Sequence, residues 1–157
     1  MHIAKLFEIE SKSDNKLFID NSLSEYKIIA RKHVQLHIAL SDLASETKCY
    51  QYWIGKQKKL NDDAILDKYI YCLKHIISLG LYNSYNDIDE IEIEPSEYCL
   101  SDQFLNLYID INDLVISPSK DHFITLIEDY LSLGISLGFT EELITDSFSN
   151  CKKQLAL

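Results

Sequence analysis

The feature that most constrains the fold is a shortage of residues that interrupt regular structure. Only four glycines and two prolines occur among 157 residues, which favours long unbroken elements over a turn-rich β architecture. Two long stretches carry apolar residues at helical spacing: one covers about residues 25–53, and the other opens at Asn61 or Asp62 and ends within residues 80–85. We expect the rest of the chain to be built around these two helices.

Shorter helical patterns account for most of the remaining sequence. They begin at Ile3, at Ser101 or Asp102, at Lys120 and at Thr140, and they end near residues 15, 116, 137 and 153. The acidic connection over residues 86–96 alternates like a strand, but a lone strand would have no partner, so we predict an exposed loop there.

An internal repeat also favours a helical bundle. Residues 69–85 align without a gap on residues 123–139, although two helices that converge on Leu-Gly endings would give the same match. We therefore predict one all-α domain over residues 1–157, a bundle of about six helices.

Charge and composition limit the classes of partner. The net charge of −10 argues against binding to nucleic acid or to an anionic membrane, because both require a basic surface. The four cysteines are widely spaced without a CxxC motif, which favours reduced thiols over a disulfide framework or a zinc site. Neither a signal peptide nor an apolar run long enough to span a membrane is evident, so we expect a cytoplasmic protein.

A family resemblance rests on the two long helices. The run ALSDLASETKCYQYW, followed by LDKYIYCLKHIISLGL, resembles the dimeric, all-α dUTPases, relatives of the MazG-type nucleotide pyrophosphatases. The signature of that family is approximately ELGELANE-x-x-x-F-x-x-W followed by EEYVDGLHFLLSLGL. The likeness continues in order through LFEIE, DQFLNLYIDINDL and YLSLGISLGFTEE, so it covers most of the chain.

The resemblance implies a homodimer of helical subunits that hydrolyses dUTP to dUMP and pyrophosphate with Mg²⁺. In the family, an ExxE pair on one helix and an ExxD pair on the facing helix hold the metal against the phosphates. These pairs suit Mg²⁺, because residues three apart share a helix face and Mg²⁺ prefers carboxylate oxygens. The bound ions neutralise charge and activate the attacking water.

This chain departs from the family at the metal-binding positions. The ExxE positions fall on Ala39 and Asp42, and the ExxD positions fall on Lys68 and Tyr71. A further family glutamate survives as Glu46, so Asp42 and Glu46 are the remaining candidate metal ligands. We also consider that the Lys68 ammonium replaces the metal and pairs with Asp42 or Glu46, the alternative being a surface lysine in solvent.

The substrate-binding positions are altered as well. The early glutamine with which the family recognises uracil corresponds to Glu10, and a carboxylate only accepts hydrogen bonds. Trp53 matches the family tryptophan, and its alternative role is that of a core aromatic closing the helix end. The family's C-terminal nucleotide contacts fall on Cys151, Lys152 and Leu155.

The sequence therefore predicts a catalytically degenerate dUTPase-like homodimer that acts by binding. A protein partner is conceivable, because phage-type dUTPases are known as a class to engage repressors of mobile elements. No cofactor is expected, and Mg²⁺ is expected only if the protein is active.

Two other functions remain open. One is an active Mg²⁺-dependent nucleoside-triphosphate pyrophosphatase in which Asp63 and Asp67 join Asp42 and Glu46 in a rearranged metal site. The other is a sensor that holds a nucleotide without hydrolysing it. Only Lys48 and Lys68 are placed to bind phosphate in such a sensor.

Overall fold

Six α-helices make up the part of the fold that the structure describes. The structure is a computed structural model that describes residues 1–14, 19–56 and 59–151. The helices are α1 Ile3–Asp14, α2 Glu25–Thr47, α3 Asp62–Tyr82, α4 Leu100–Ile116, α5 Lys120–Ser136 and α6 Glu141–Asn150. The described ranges contain no strand, and the predicted all-α fold is confirmed.

Four helices begin where a polar side chain caps the first turn. Ser24, Asn61, Ser119 and Thr140 each accept a hydrogen bond from the backbone N–H three residues further on. Such a bond satisfies one of the amides that a helix start leaves without an intrahelical partner. Helix α4 begins one residue earlier than predicted, and its N-cap residue Cys99 makes no side-chain capping bond.

Helix α2 ends at Thr47, so the expectation that it extends to Trp53 is wrong. Lys48 adopts a left-handed backbone conformation with φ of 58°, and its N–H bonds to the carbonyl of Ser45. This conformation is usually taken by glycine at a helix C-terminus, and the sequence offers none before Gly55. Residues 49–56 and 59–61 therefore lie outside the helices, in the connection from α2 to α3.

Helix α3 lies at the centre of the bundle and packs against α1, α2, α5 and α6. It carries buried residues on almost every side, including Tyr69, Leu73 and Ile77. A helix that is apolar nearly all round requires neighbours on all sides, which explains the central position of α3.

The two halves of the internal repeat pack against each other reciprocally. Gly80 on α3 lies against the ring of Phe123 on α5, and Gly134 on α5 lies against the ring of Tyr69 on α3. Tyr69 and Phe123 are equivalent in the repeat alignment, and so are Gly80 and Gly134. The same aromatic-on-glycine contact thus occurs twice, with the roles of the two helices exchanged, and this supports the repeat over a chance match of helix endings.

The acidic connection between α3 and α4 is only partly the exposed loop that we expected. Its acidic side chains are exposed, but Ile88 and Ile91 are buried in the core. Glu90 forms an isolated antiparallel bridge with His2. The alternation of acidic and apolar residues therefore reflects one solvent face and one buried face.

No single helix in the described ranges is long and apolar enough to cross a membrane. Helices α5 and α6 meet that criterion only as a pair, and they are bent by 107° relative to each other. The apolar side chains of this pair, such as Leu131 and Phe148, lie in the core of the bundle.

Candidate functional site

The positions that correspond to the family's metal ligands lie where α2 faces α3. The Lys68 Nζ atom is 3.6 Å from Asp42 Oδ2, so the predicted pairing of this lysine is confirmed, with Asp42 as the partner. The Lys68 side chain is 44% exposed and that of Asp42 is 50% exposed. Because solvent screens such a pair, it contributes little to the stability of the bundle.

The other two family ligand positions hold no acidic group. Ala39 is 1% exposed and belongs to the core, whereas the Tyr71 ring packs edge-on against the His75 ring with centroids 4.6 Å apart. Glu46 lies one turn beyond Asp42 on α2 and is half-buried. Asp42 and Glu46 are thus the acids that remain at the positions of the family's ligands.

These residues do not fit a magnesium ion. Within residues 1–14, 19–56 and 59–151, no three His, Cys, Asp or Glu side chains come together so that they could hold a metal. Asp63 and Asp67, which the rearranged site requires, are exposed and do not form such a group with Asp42 and Glu46. A lysine ammonium also lies beside Asp42, and its charge would oppose a bound cation.

The position that corresponds to base recognition lies inside the protein. Glu10 on α1 is 0% exposed, and its Oε2 atom is 3.5 Å from the Nζ atom of Lys74 on α3. The Lys74 side chain is 3% exposed, and its Nζ atom lies 4.2 Å from the centroid of the Phe148 ring on α6. A ligand would reach Glu10 only if α1, α3 and α6 moved apart.

The pairing of Lys74 with Glu10 was not predicted from the sequence. Each residue, however, occupies the apolar face of its own helix: Glu10 lies one turn after Leu6 and Phe7, and Lys74 lies one turn after Ile70 and one turn before Ile77. Buried charges are normally paired, so an acid and a base on two buried faces point to each other. A charged residue on each of two buried helix faces is therefore the feature of the sequence that could have predicted this pair.

Trp53 is not the core aromatic that we considered as its alternative role. It is 55% exposed in the loop after α2, and its ring contacts those of Tyr50 and Tyr52, with centroids 6.2 and 5.3 Å away. The expectation failed because α2 ends before this residue, which leaves Trp53 outside the bundle. Tyr52 and Ile54 beside it are almost fully exposed.

The predicted C-terminal contacts are described only in part. Burial raises the pKa of the Cys151 thiol, Lys74 opposes this shift, and Asp67 and Glu10 add to it. Cys151 therefore lies near the buried pair of Glu10 and Lys74. Lys152 and Leu155 lie outside the described residues.

Comparison with known proteins assigns the family. A sequence profile described as dUTPase matches residues 2–154, which is nearly the whole chain. No curated protein and no solved structure gives a match. The profile and the six-helix architecture agree with each other, and the chain therefore belongs to the all-α dUTPase family.

Proposed function

We propose that this protein is a catalytically degenerate dUTPase that acts by binding rather than by turnover. The observation that carries the proposal is the ion pair between Lys68 and Asp42 at the former metal position. The reaction of the family requires Mg²⁺ held by carboxylates from two facing helices. Here α3 presents a cation where those carboxylates would be, so we derive no catalytic step through a metal.

The buried pair of Glu10 and Lys74 supports the same proposal from the base-recognition side. A pocket for a nucleobase needs hydrogen-bonding groups that are open to the ligand. Glu10 has no exposed surface, and its carboxylate faces an ammonium group that neutralises it. The proposed loss of function thus affects recognition of both the phosphates and the base of the nucleotide.

We further propose that binding involves a second copy of the chain. Helices α2 and α4 meet through Tyr108, whose hydroxyl lies 2.7 Å from Ser41 Oγ and whose ring stacks on His37. Beside this contact, four large apolar side chains are more than half exposed: Val34 and Ile38 on α2, and Leu105 and Ile109 on α4. Exposed apolar faces of this kind are typical of subunit interfaces.

A different protein is the second candidate binding partner. The loop after α2 exposes Tyr50, Tyr52, Trp53 and Ile54 together. Aromatic side chains are enriched at protein–protein interfaces, whereas the net charge of −10 opposes nucleic acid and anionic membranes.

Metal binding tests the proposed loss of function without relying on turnover. Titration calorimetry with Mn²⁺ and with Mg²⁺ should give no saturable heat for the wild type or for Asp42→Ala. Removal of the competing cation in Lys68→Ala should not restore binding, because Asp42 and Glu46 alone supply too few ligands. Saturable binding by the wild type that is lost in Asp42→Ala would favour the rearranged metal site instead.

A further inference from the structure

Polar side chains follow one edge of the interface between α4 and α5. Near the open end of this helical hairpin, Gln103 Nε2 donates to Ser136 Oγ at 3.0 Å. At the turn, His122 Nδ1 donates to the Ser117 carbonyl at 2.8 Å. The residues of each contact are equally far from the centre of the turn, as the antiparallel arrangement requires.

The middle position of this series is occupied by two acids, Asp110 on α4 and Asp129 on α5. Asp110 lies seven residues after Gln103 and seven before Ser117, and Asp129 lies midway between His122 and Ser136. Seven residues are close to two turns of an α-helix, so the three positions on each side of the hairpin share one face. The antiparallel register therefore places Asp110 opposite Asp129, and a hydrogen bond between the two carboxyl groups is among the causes that raise the pKa of Asp110.

The surroundings of Asp110 disfavour a second negative charge. Its Oδ2 atom is buried without a hydrogen-bond partner among the described residues. Burial, then Asp129, then Asp113 on its own helix raise the pKa of Asp110 to about 7, and only His122 opposes them. Two facing carboxyl groups of this kind hold one proton between them more readily than none.

We propose that Asp110 and Asp129 form a pH-sensitive clasp between α4 and α5, which is closed by one shared proton. In the closed state the protonated carboxyl donates to the other carboxylate. When the proton is released to solvent, two carboxylates face each other and the hairpin loosens. This inference does not depend on whether the protein turns over a nucleotide.

The sign of the pH dependence follows from the direction of the shift. Asp110 has a higher pKa in the folded protein than in the unfolded chain, where it is close to 3.8. The clasp therefore contributes its full stability below the unfolded value and loses it as the pH rises through about 7. The loss is spread over the pH range between 3.8 and about 7.

Replacement of Asp110 by its neutral isostere tests the clasp. In Asp110→Asn the side-chain amide donates permanently to Asp129, so stability should become less dependent on pH. At about pH 8 we expect the variant to have a roughly tenfold smaller unfolding equilibrium constant than the wild type, measured by urea denaturation. At about pH 5 the two proteins should be nearly equal.

Asp146→Asn is the matched control, because Asp146 is an exposed aspartate on α6. It removes the same charge and should keep the pH dependence of the wild type. Equal pH dependence in Asp110→Asn and Asp146→Asn would overturn the proposal. Hydrogen exchange gives a second readout: protection of α4 and α5 amides, corrected for intrinsic exchange, should fall with rising pH in the wild type only, and unchanged protection would also overturn it.

Discussion

Two lysine–carboxylate pairs in this chain have nearly the same separation and very different surroundings. Lys68 lies 3.6 Å from Asp42 with both side chains about half exposed, whereas Lys74 lies 3.5 Å from Glu10 with both almost fully buried. Solvent screens the first pair, but it does not reach the second. The same substitution at the two lysines therefore separates the effect of burial from that of distance.

We expect Lys74→Met to lower the free energy of unfolding by about 3–5 kcal/mol, because it removes an ammonium group from beside the buried Glu10 carboxylate. Lys68→Met should change the free energy of unfolding by less than about 0.5 kcal/mol. Urea denaturation at neutral pH measures both values. Similar losses in the two variants would contradict the role assigned to burial. The double variant Glu10→Gln/Lys74→Met should recover much of the loss.

For single residues, the sequence predicted part of the candidate site. The pairing of Lys68 with Asp42 followed from family positions on two facing helices. The pairing of Glu10 with Lys74 was missed because it joins α1 to α3 across a sequence separation of 64 residues. Helical periodicity indicates which face of each helix is buried, but it does not indicate which faces meet.

The reciprocal contact between α3 and α5 is a property of elements rather than of single residues. A Cβ atom added at Gly80 would overlap the Phe123 ring, and neither helix is free to move away because each also packs elsewhere. We expect Gly80→Ala to lower the free energy of unfolding by about 1–3 kcal/mol through overpacking.

Gly55→Ala is the control for this prediction. Gly55 lies in the loop after α2, where an added Cβ would meet only the Trp53 ring at an ordinary distance of 3.6 Å. The thermal unfolding midpoint should fall in Gly80→Ala and stay close to that of the wild type in Gly55→Ala. A Gly80→Ala protein as stable as the wild type would show that α3 and α5 can separate without cost.

Helix starts were predictable because capping is a local event. Ser24, Asn61, Ser119 and Thr140 carry the signal in their own side chains. The end of α2 was not predictable, because Lys48 adopts a conformation that glycine normally marks. That single backbone feature moved Trp53 from the expected core to an exposed loop.

The whole molecule carries an excess of negative charge, and α2 and α4 together expose an apolar face. Two copies of a chain with net charge −10 repel each other, so association through this face should strengthen with added salt, which screens the repulsion. We expect a dimer in sedimentation velocity experiments. Ile38→Glu combined with Ile109→Glu should give a monomer.

Leu143→Glu serves as the control for the interface, since Leu143 is an exposed apolar residue of α6, away from the face of α2 and α4. It should leave the dimer intact. A wild-type protein that sediments as a monomer at all salt concentrations would refute the proposed self-association, and so would a dimer that survives the double substitution.

We propose, above all, that this chain retains the dUTPase fold without the metal-dependent chemistry of the family. Pyrophosphate release from a panel of nucleoside triphosphates that includes dUTP, with and without Mg²⁺ or Mn²⁺, tests it most directly. The ion pair between Lys68 and Asp42 and the burial of Glu10 predict no metal-dependent release from any member of the panel. Metal-dependent release that disappears in Asp42→Ala would contradict the account and would show that the metal site has been rebuilt.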